Sequence, residues 1–370
     1  MNDFTLCVPC LLGLEGPISD ELRRLKLSGV RSENGRVYFS GDAMALAKAN
    51  INLRIGERVL IELGRFKAES FDELFERTKA LPWEELIPRN AAFPVKGYSL
   101  NSKLFSVSDC QKIIKKAVVE RLKSVYGIEW FPEDAETYQI QFSIMKDVVS
   151  MCIDTSGAGL HKRGYRPAHN AAPLKETMAA AMVTLSRYRG REDFCDPFCG
   201  SGTIPIEAAL IAKNRAPGIS RRFSAMDWTT LDQSVWSLAV EEARSREFSG
   251  DYRIVGSDID PAALRIAREN AVRAGVDDVV RFEKADASEF ARKTENGIIV
   301  TNPPYGERIM EKQEAEALYR SFGKAWSATE NWKLYLLSSH TEFERCFGIP
   351  ATKKRKLYNG MIKCDLFMYF

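Results

Sequence analysis

The chain has 370 residues, 45% of them apolar and 28% charged, with a formal net charge of +3. This length exceeds one ordinary hydrophobic core and predicts two or three domains, while the composition excludes a mostly disordered chain. So small a charge excludes the overall field as a source of attraction to nucleic acid, which would have to come from local patches.

Residues 1 to about 155 alternate short strand candidates, at 36–39, 58–63 and 138–142, with helices such as 71–81, an α+β pattern. The clearest helix begins at Ser108, where Ser108 and Gln111 form a capping-box pattern, and Ile113, Ile114, Ala117, Val118 and Leu122 make a buried stripe. Lys112, Lys115, Lys116 and Lys123 share its other face. Two readings of that face stand, a solvated lysine surface or one that meets phosphate. The stretch 156–173, rich in Gly, Ala, Arg and His, reads as a connector. Within it His161, Lys162, Arg163 and Arg166 either touch nucleic-acid phosphate or form a basic interdomain linker.

From about Gly190 onward, apolar runs alternate with helical patterns at spacings that suit a doubly wound parallel sheet. The strand 193–196 leads into the loop Cys199-Gly200-Ser201-Gly202 and an apolar helix carrying Ile204, Ala208 and Ile211, with Pro205 tolerated in the first turn. A strand at 252–257 precedes a helix that Asp260 caps, Pro261 starts and Gly275 stops. Further strands are expected at 279–283, 297–300 and 334–337. The runs 355–358 and 361–369, separated by Asn359-Gly360, finish the sheet with an antiparallel hairpin.

The loop Asp196-Pro197-Phe198-Cys199-Gly200-Ser201-Gly202 joins a strand to a helix N-terminus, where glycines let a ligand press against the backbone. It lacks the lysine of an ATP-type phosphate loop and is shorter than a dinucleotide loop, which leaves an adenosine bearing an amino-acid tail. Asp258, ending the next strand, can accept both ribose hydroxyls, whereas Asp260 is the helix cap. Asp286 either takes the adenine amino group or is a turn aspartate. Asn302-Pro303-Pro304-Tyr305 follows the buried strand 297–300, at the edge of the sheet where such folds bind ligands. The prolines lock the backbone, so the Asn302 side-chain carbonyl and the Pro303 carbonyl can both accept from an NH2 group and aim its lone pair at a methyl donor. Tyr305 would stack on a base rotated out of its helix. Cytosine C5 chemistry is nearly excluded because it needs a cysteine nucleophile, the motif has none, and Cys199 belongs to the loop.

The segment Asn302-Pro303-Pro304-Tyr305-Gly306-Glu307-Arg308, together with 196–202, closely resembles the THUMP-domain class I RNA methyltransferases, nearest to the RlmL-like N2-guanine rRNA enzymes. Arg163-Gly164-Tyr165-Arg166 and Ala172-Pro173-Leu174-Lys175-Glu176 match the start of that family's catalytic domain. The resemblance covers almost the whole chain. It implies a ferredoxin-like segment at 1–41, a THUMP RNA-binding domain at 42–156, a linker at 157–173 and a Rossmann-like class I methyltransferase domain at 174–370. It also implies S-adenosylmethionine as cofactor, held by Asp196, Pro197, Gly200, Gly202, Asp258, Ile259, Asp286, Ala287 and Asn302. Asn302, Pro303, Pro304 and Tyr305 would bind the target amine, and Lys112, Lys115, Lys116, Lys162, Arg163, Arg166 and Arg308 would hold structured RNA, 23S rRNA or a ribosomal assembly intermediate.

Asn-Pro-Pro-Tyr alone serves adenine N6, cytosine N4 and guanine N2 through one geometry; the tail Gly306-Glu307-Arg308 favours guanine. Cys7 and Cys10 form a CxxC with no second pair nearby, so no zinc is expected, and His161, His169 and His340 are too scattered for a ligand set. The eight cysteines are too sparse for a disulfide scaffold. No apolar run approaches the ~18 residues of a membrane span and the N-terminus lacks signal-peptide features, so a cytoplasmic chain with no membrane and no obligatory protein partner is expected.

Overall fold

Two seven-stranded sheets carry the chain in the computed structural model, which describes residues 3–166, 174–292, 294–304, 312–329, 331–360 and 362–370. The first unit comprises Met1–Pro9, Ser19–Leu160 and Arg221–Glu242, and the second Cys10–Ile18, His161–Ser220 and Ala243–Phe370.

The elements up to residue 154 are β1 (Phe4–Pro9), α1 (Glu15–Arg24), β2 (Ser28–Glu33), β3 (Arg36–Gly41), α2 (Ala43–Asn52), β4 (Leu60–Lys67), α3 (Phe71–Lys79), β5 (Val95–Leu100), α4 (Val107–Tyr126), β6 (Ile140–Met145) and β7 (Val148–Asp154). Their sheet runs β2-β3-β1-β4-β7-β6-β5. The expected strands at 36–39, 58–63 and 138–142 are β3, β4 and β6. β7 lacks the two-residue alternation that marks a half-buried strand, because six of its seven residues are buried.

The cap of helix α4 lies two residues earlier than expected, at Ser106 instead of Ser108. The Ser108–Gln111 capping box does not form. Gln111 instead donates to the Val95 carbonyl of β5 at 3.0 Å, a tertiary bond that takes its amide away from the helix end, and Ser106 donates to Asp109 at 2.6 Å. Ile114, Ala117, Val118 and Leu122 are buried as expected, while Ile113 is half-buried.

Residues 221–242, expected inside the C-terminal domain, group with the first unit. Trp228 stacks on Tyr138 at 4.4 Å and donates its indole N–H to the Thr137 carbonyl at 3.0 Å. Trp228 and Tyr138 are both fully buried, and an aromatic pair of this kind adds about 0.5–1.5 kcal/mol beyond its burial.

The second unit holds α5 (Glu176–Leu185), β8 (Asp193–Asp196), α6 (Thr203–Ala212), the end of α7 (Ser234–Ser245), β9 (Ile254–Asp258), α8 (Pro261–Ala274), β10 (Val280–Lys284), β11 (Gly297–Thr301), α9 (Lys312–Ser327), β12 (Trp332–Ser338), α10 (Phe343–Phe347), β13 (Lys353–Asn359) and β14 (Ile362–Tyr369). Strand order is β10-β9-β8-β11-β12-β14-β13. All neighbours through β12 are parallel, and β14 is antiparallel to both β12 and β13. The chain therefore winds outward from β8 through β9 and β10, then crosses to β11 and winds the other way. The junction of β8 and β11 is the switch point, where helices on the two sides diverge and leave a crevice at the carboxyl ends of the strands.

Local chemistry accounts for the best-marked element. Asp260 accepts from the Ala262 N–H at 2.8 Å, Pro261 opens α8, and Gly275 ends it at φ 67°. Below the crevice, Phe290, Phe322, Trp332, Phe343, Phe347 and Tyr369 share one buried cluster that seats α9 and α10. Each such aromatic contributes about 1.5–3 kcal/mol by leaving water. Among the described residues, no helix is long and apolar enough to cross a membrane.

Candidate active site

β8 ends at Asp196 and β11 at Thr301, so the switch point brings these two side chains together. The Thr301 hydroxyl donates to Asp196 Oδ1 at 2.6 Å, and the Phe198 N–H donates to the same oxygen at 3.1 Å. Asp196 is 1% exposed. Burial pushes its carboxyl up to about 7, against the two hydrogen bonds that favour the charged form and with some help from the nearby Asp258.

The glycine loop is folded around the end of β9. Cys199 N–H donates to the Ser257 carbonyl at 3.0 Å and Gly200 N–H donates to Asp258 Oδ2 at 2.9 Å. The other carboxylate oxygen of Asp258 accepts the Asp260 N–H at 3.0 Å. Two backbone donors thus fix the Asp258 carboxylate while leaving lone pairs on both oxygens. Gly202 sits at φ 83°, and a Cβ there would come within 2.9 Å of the Phe282 ring, so the position requires glycine twice over.

A cavity of about 590 Å³ opens at this place, within the range of small-molecule sites. Its wall includes Asp196, Pro197, Gly200, Asp258, Ile259, Asp286, Ala287, Asn302, Pro303 and Pro304. These expected residues are brought together; Gly202 stands just behind, at the start of α6. Ile259, an apolar side chain left 64% exposed, supplies a face on which a flat ring can rest. Asp286 accepts the Ser288 N–H at 2.8 Å, so it does cap a turn, while also facing the cavity. Leu174, Leu318 and Asn359 also line the wall, none of them expected from the sequence as a site residue.

Asn302 Oδ1 is buried and has no hydrogen-bond partner among the described residues. An orphaned buried carbonyl costs about 1–3 kcal/mol, so its retention on a cavity wall points to a donor that arrives with the ligand. The backbone beside it is held in place: Tyr319 on α9, fully buried, donates its hydroxyl to the Pro304 carbonyl at 2.8 Å. Nothing in the sequence by itself pointed to Tyr319. Tyr305 and Arg308 lie outside the described residues.

Two of the expected phosphate contacts need correction. Arg163 is 6% exposed and lies against the buried Glu207 of α6, Nε to Oε1 at 3.3 Å, with the Tyr165 hydroxyl on the same oxygen at 3.2 Å. A desolvated guanidinium seeks its nearest carboxylate, and this one is a core residue. Lys115 reaches Glu133 at 2.6 Å and lies 3.5 Å over the Phe93 ring, and burial lowers its affinity for a proton. Arg166 is also engaged, to Glu176 at 2.7 Å and to Thr203 at 3.1 Å, which braces the first turn of α6 beside the cavity. Lys112, Lys116 and Lys162 are exposed.

The raised Asp196 carboxyl has a consequence for pH. In the unfolded chain an aspartate titrates near ~3.9, whereas in the fold it holds its proton up to about 7. The stability this proton carries is complete below the lower value and is lost as pH rises through the upper one. Asp196→Asn cannot lose a proton. Melting temperatures of the ligand-free wild type should therefore fall relative to Asp196→Asn between about pH 4 and 7; parallel melting curves across that window would contradict the assignment.

A parallel sheet whose ligand cleft opens at the switch point, with a glycine loop on one side and Asn-Pro-Pro on the other, is the architecture of the Rossmann-like methyltransferases. A family model described as RMKL-like, methyltransferase domain, matches residues 163–367; an RlmL ferredoxin-like domain matches 5–60 and a THUMP domain 68–154. YpsC of Bacillus subtilis (strain 168), whose name assigns it provisionally to RNA methylation, is 44% identical over 100% of this chain and 97% of its own length. Ribosomal RNA large subunit methyltransferase K/L of Syntrophotalea carbinolica is 35% identical over 96% of this chain, which spans 52% of that relative. Among solved structures, a Listeria monocytogenes protein described as a predicted N6-adenine-specific DNA methylase is 46% identical with a TM-score of 0.94, over 100% of this chain and 97% of that one. SMU.472, provisionally described as a methyltransferase and solved in complex with SAH, is 38% identical with a TM-score of 0.93, over 100% and 98% of the two chains. The chain belongs to the RMKL-like methyltransferase family, and S-adenosylmethionine is its cofactor.

Proposed function

We propose that this protein methylates the exocyclic N2 amine of a guanine in large-subunit ribosomal RNA, after the base has rotated into the cavity. The observation that carries the reading is the buried Asn302 Oδ1 beside Pro303, unpaired among the described residues. An amine donating to that oxygen and to the Pro303 carbonyl has its lone pair turned away from both acceptors. The bound cofactor supplies the methyl group as a sulfonium. Asp258 accepts its ribose hydroxyls, Asp286 its adenine amine, and the Asp196 carboxylate faces its cationic end. No nucleophile of the protein is required. The THUMP domain and the names of the K/L relatives support RNA as the substrate, and Lys112, Lys116, Lys162 and Arg308 remain the proposed phosphate contacts. Guanine rests on the tail Gly306-Glu307-Arg308.

Adenine N6 is the second reading, favoured by the description of the Listeria structure. Labelled methyl transfer to rRNA from a strain lacking the protein, and in parallel to duplex DNA, followed by nucleoside mass spectrometry, separates the two. Label in N2-methylguanosine supports the proposal, label in N6-methyladenosine replaces it, and label only on duplex DNA removes RNA as the substrate.

Asp258→Ala is expected to weaken S-adenosylmethionine binding by about 10–100-fold, the worth of hydrogen bonds to a charged acceptor, while kcat at saturating cofactor stays near that of the wild type. Calorimetric titration checks the first half and saturation kinetics the second. An unchanged dissociation constant would remove Asp258 from the ribose.

A further inference from the structure

The polar groups assigned to the cofactor end β8 and β9 or follow β10, all on one side of the switch point. On the other side the cavity wall is Asn302, Pro303, Pro304, Leu318 and Asn359. Among the described residues of that half, Asn302 and Asn359 are the polar ones. Asn302 is committed to the reacting amine, and a lone amine does not distinguish one base from another. Discrimination needs a second group that meets the ring atom beside the amine.

Asn359 is built to hold such a position. It is the last residue of β13, pairs with Ile362 across the turn, and is followed by Gly360 at φ 66°. The base of the hairpin is anchored because β14 pairs with β12 from Asp365 to Tyr369, Ser338 with Asp365 through Leu334 with Tyr369, and β13 pairs with β14 from there up to Asn359 and Ile362. The tip of a sheet, rather than a free loop, therefore carries this amide to the cavity. An asparagine amide offers an acceptor and two donors. The three candidate bases differ at the atom next to the amine: guanine presents N1–H, a donor, whereas adenine and cytosine present a bare ring nitrogen.

We propose that Asn359, at the tip of the terminal hairpin, is a specificity-determining residue for the base, its side-chain carbonyl accepting guanine N1–H while Asn302 holds the neighbouring amine. This rests on the guanine-N2 reading above. An adenine or cytosine placed in the same way would set two acceptors against each other, and a site built to bond a substrate group rejects the analogue lacking it.

The test uses the full chain, S-adenosylmethionine, and either protein-free rRNA or large-subunit precursor particles from a strain lacking the protein, whichever the wild type labels. Asn359→Ala should lower kcat/KM for the RNA by about tenfold or more with cofactor affinity unchanged, the effect of removing one partner of a buried hydrogen bond. Asn359→Asp, whose carboxylate still accepts but cannot donate, should stay within about threefold of wild type. Equal losses in both variants would overturn the proposal, as would unaltered transfer by Asn359→Ala. Loss of cofactor affinity in Asn359→Ala would overturn it too, by moving the residue to the other half of the cavity. The product of the wild type separates this failure from that of the parent reading. N6-methyladenosine, or no label on either substrate, defeats the guanine reading and this proposal with it, whereas N2-methylguanosine made equally well by wild type and Asn359→Ala defeats only the role of Asn359.

Discussion

Asn302→Ala is expected to lower kcat by about a hundredfold or more while leaving the dissociation constant for S-adenosylmethionine nearly unchanged. The side chain ends in a buried carbonyl oxygen that bonds nothing among the described residues, so its removal breaks no hydrogen bond to that oxygen there. What it removes is the acceptor that turns the target amine, and a misplacement of about 1 Å at the reacting centre is enough for a loss of that size. The Pro303 carbonyl would remain, but one acceptor leaves the amine free to rotate about a single hydrogen bond. Single-turnover transfer and cofactor titration on the same preparation check the two halves. A loss of cofactor affinity as large as the loss of rate would mean that Asn302 holds the cofactor rather than the amine.

Glu207→Ala is expected to destabilise the catalytic domain by about 3–5 kcal/mol, because it removes the buried carboxylate that faces a buried guanidinium. Glu207 lies on α6, with its side chain 0% exposed, opposite Arg163 at 2%. The pair joins the stretch that opens the catalytic domain to the helix whose first turn lines the cofactor cavity. A melting temperature lower by on the order of 10 °C would follow. Replacing both residues, Arg163→Met with Glu207→Met, should restore much of the loss, since apolar side chains of similar volume avoid the desolvation penalty altogether. A single replacement that shifts stability by less than about 1 kcal/mol, the usual range of an exposed pair, would show that water reaches this site.

The legible parts of the chain were those whose physics is local. Helix α8 could be drawn almost to the residue because its cap, proline start and glycine stop lie within the element itself. The terminal hairpin was announced by Asn359-Gly360, and the cofactor loop by glycines between a strand and a helix. By contrast, Ser106 and Ser108 are both plausible caps for α4. The choice depended on Gln111, which β5 draws away from the helix end. The same limit explains Lys115 and Arg163. A basic residue in a polar stretch looks available to phosphate until its surroundings are known, and whether it is desolvated beside a carboxylate depends on residues far away in the chain, 44 positions in the case of Arg163 and Glu207.

The amino-acid order was sufficient to establish the Rossmann-like and THUMP-containing architecture, the cofactor and the Asn302-Pro303-Pro304 motif. Motifs of this kind are runs of a few residues whose backbone preferences and side-chain chemistry act together wherever they occur. Folding in three dimensions was needed to set Thr301 against Asp196, Tyr319 against Pro304 and Asn359 at the cavity wall, and to enrol residues 221–242 in the N-terminal unit. These depend on which buried surfaces meet. Burial is a property of the assembled sheet and helices, and it changes hydrogen bonding, proton affinity and charge pairing in ways that no short window of sequence carries.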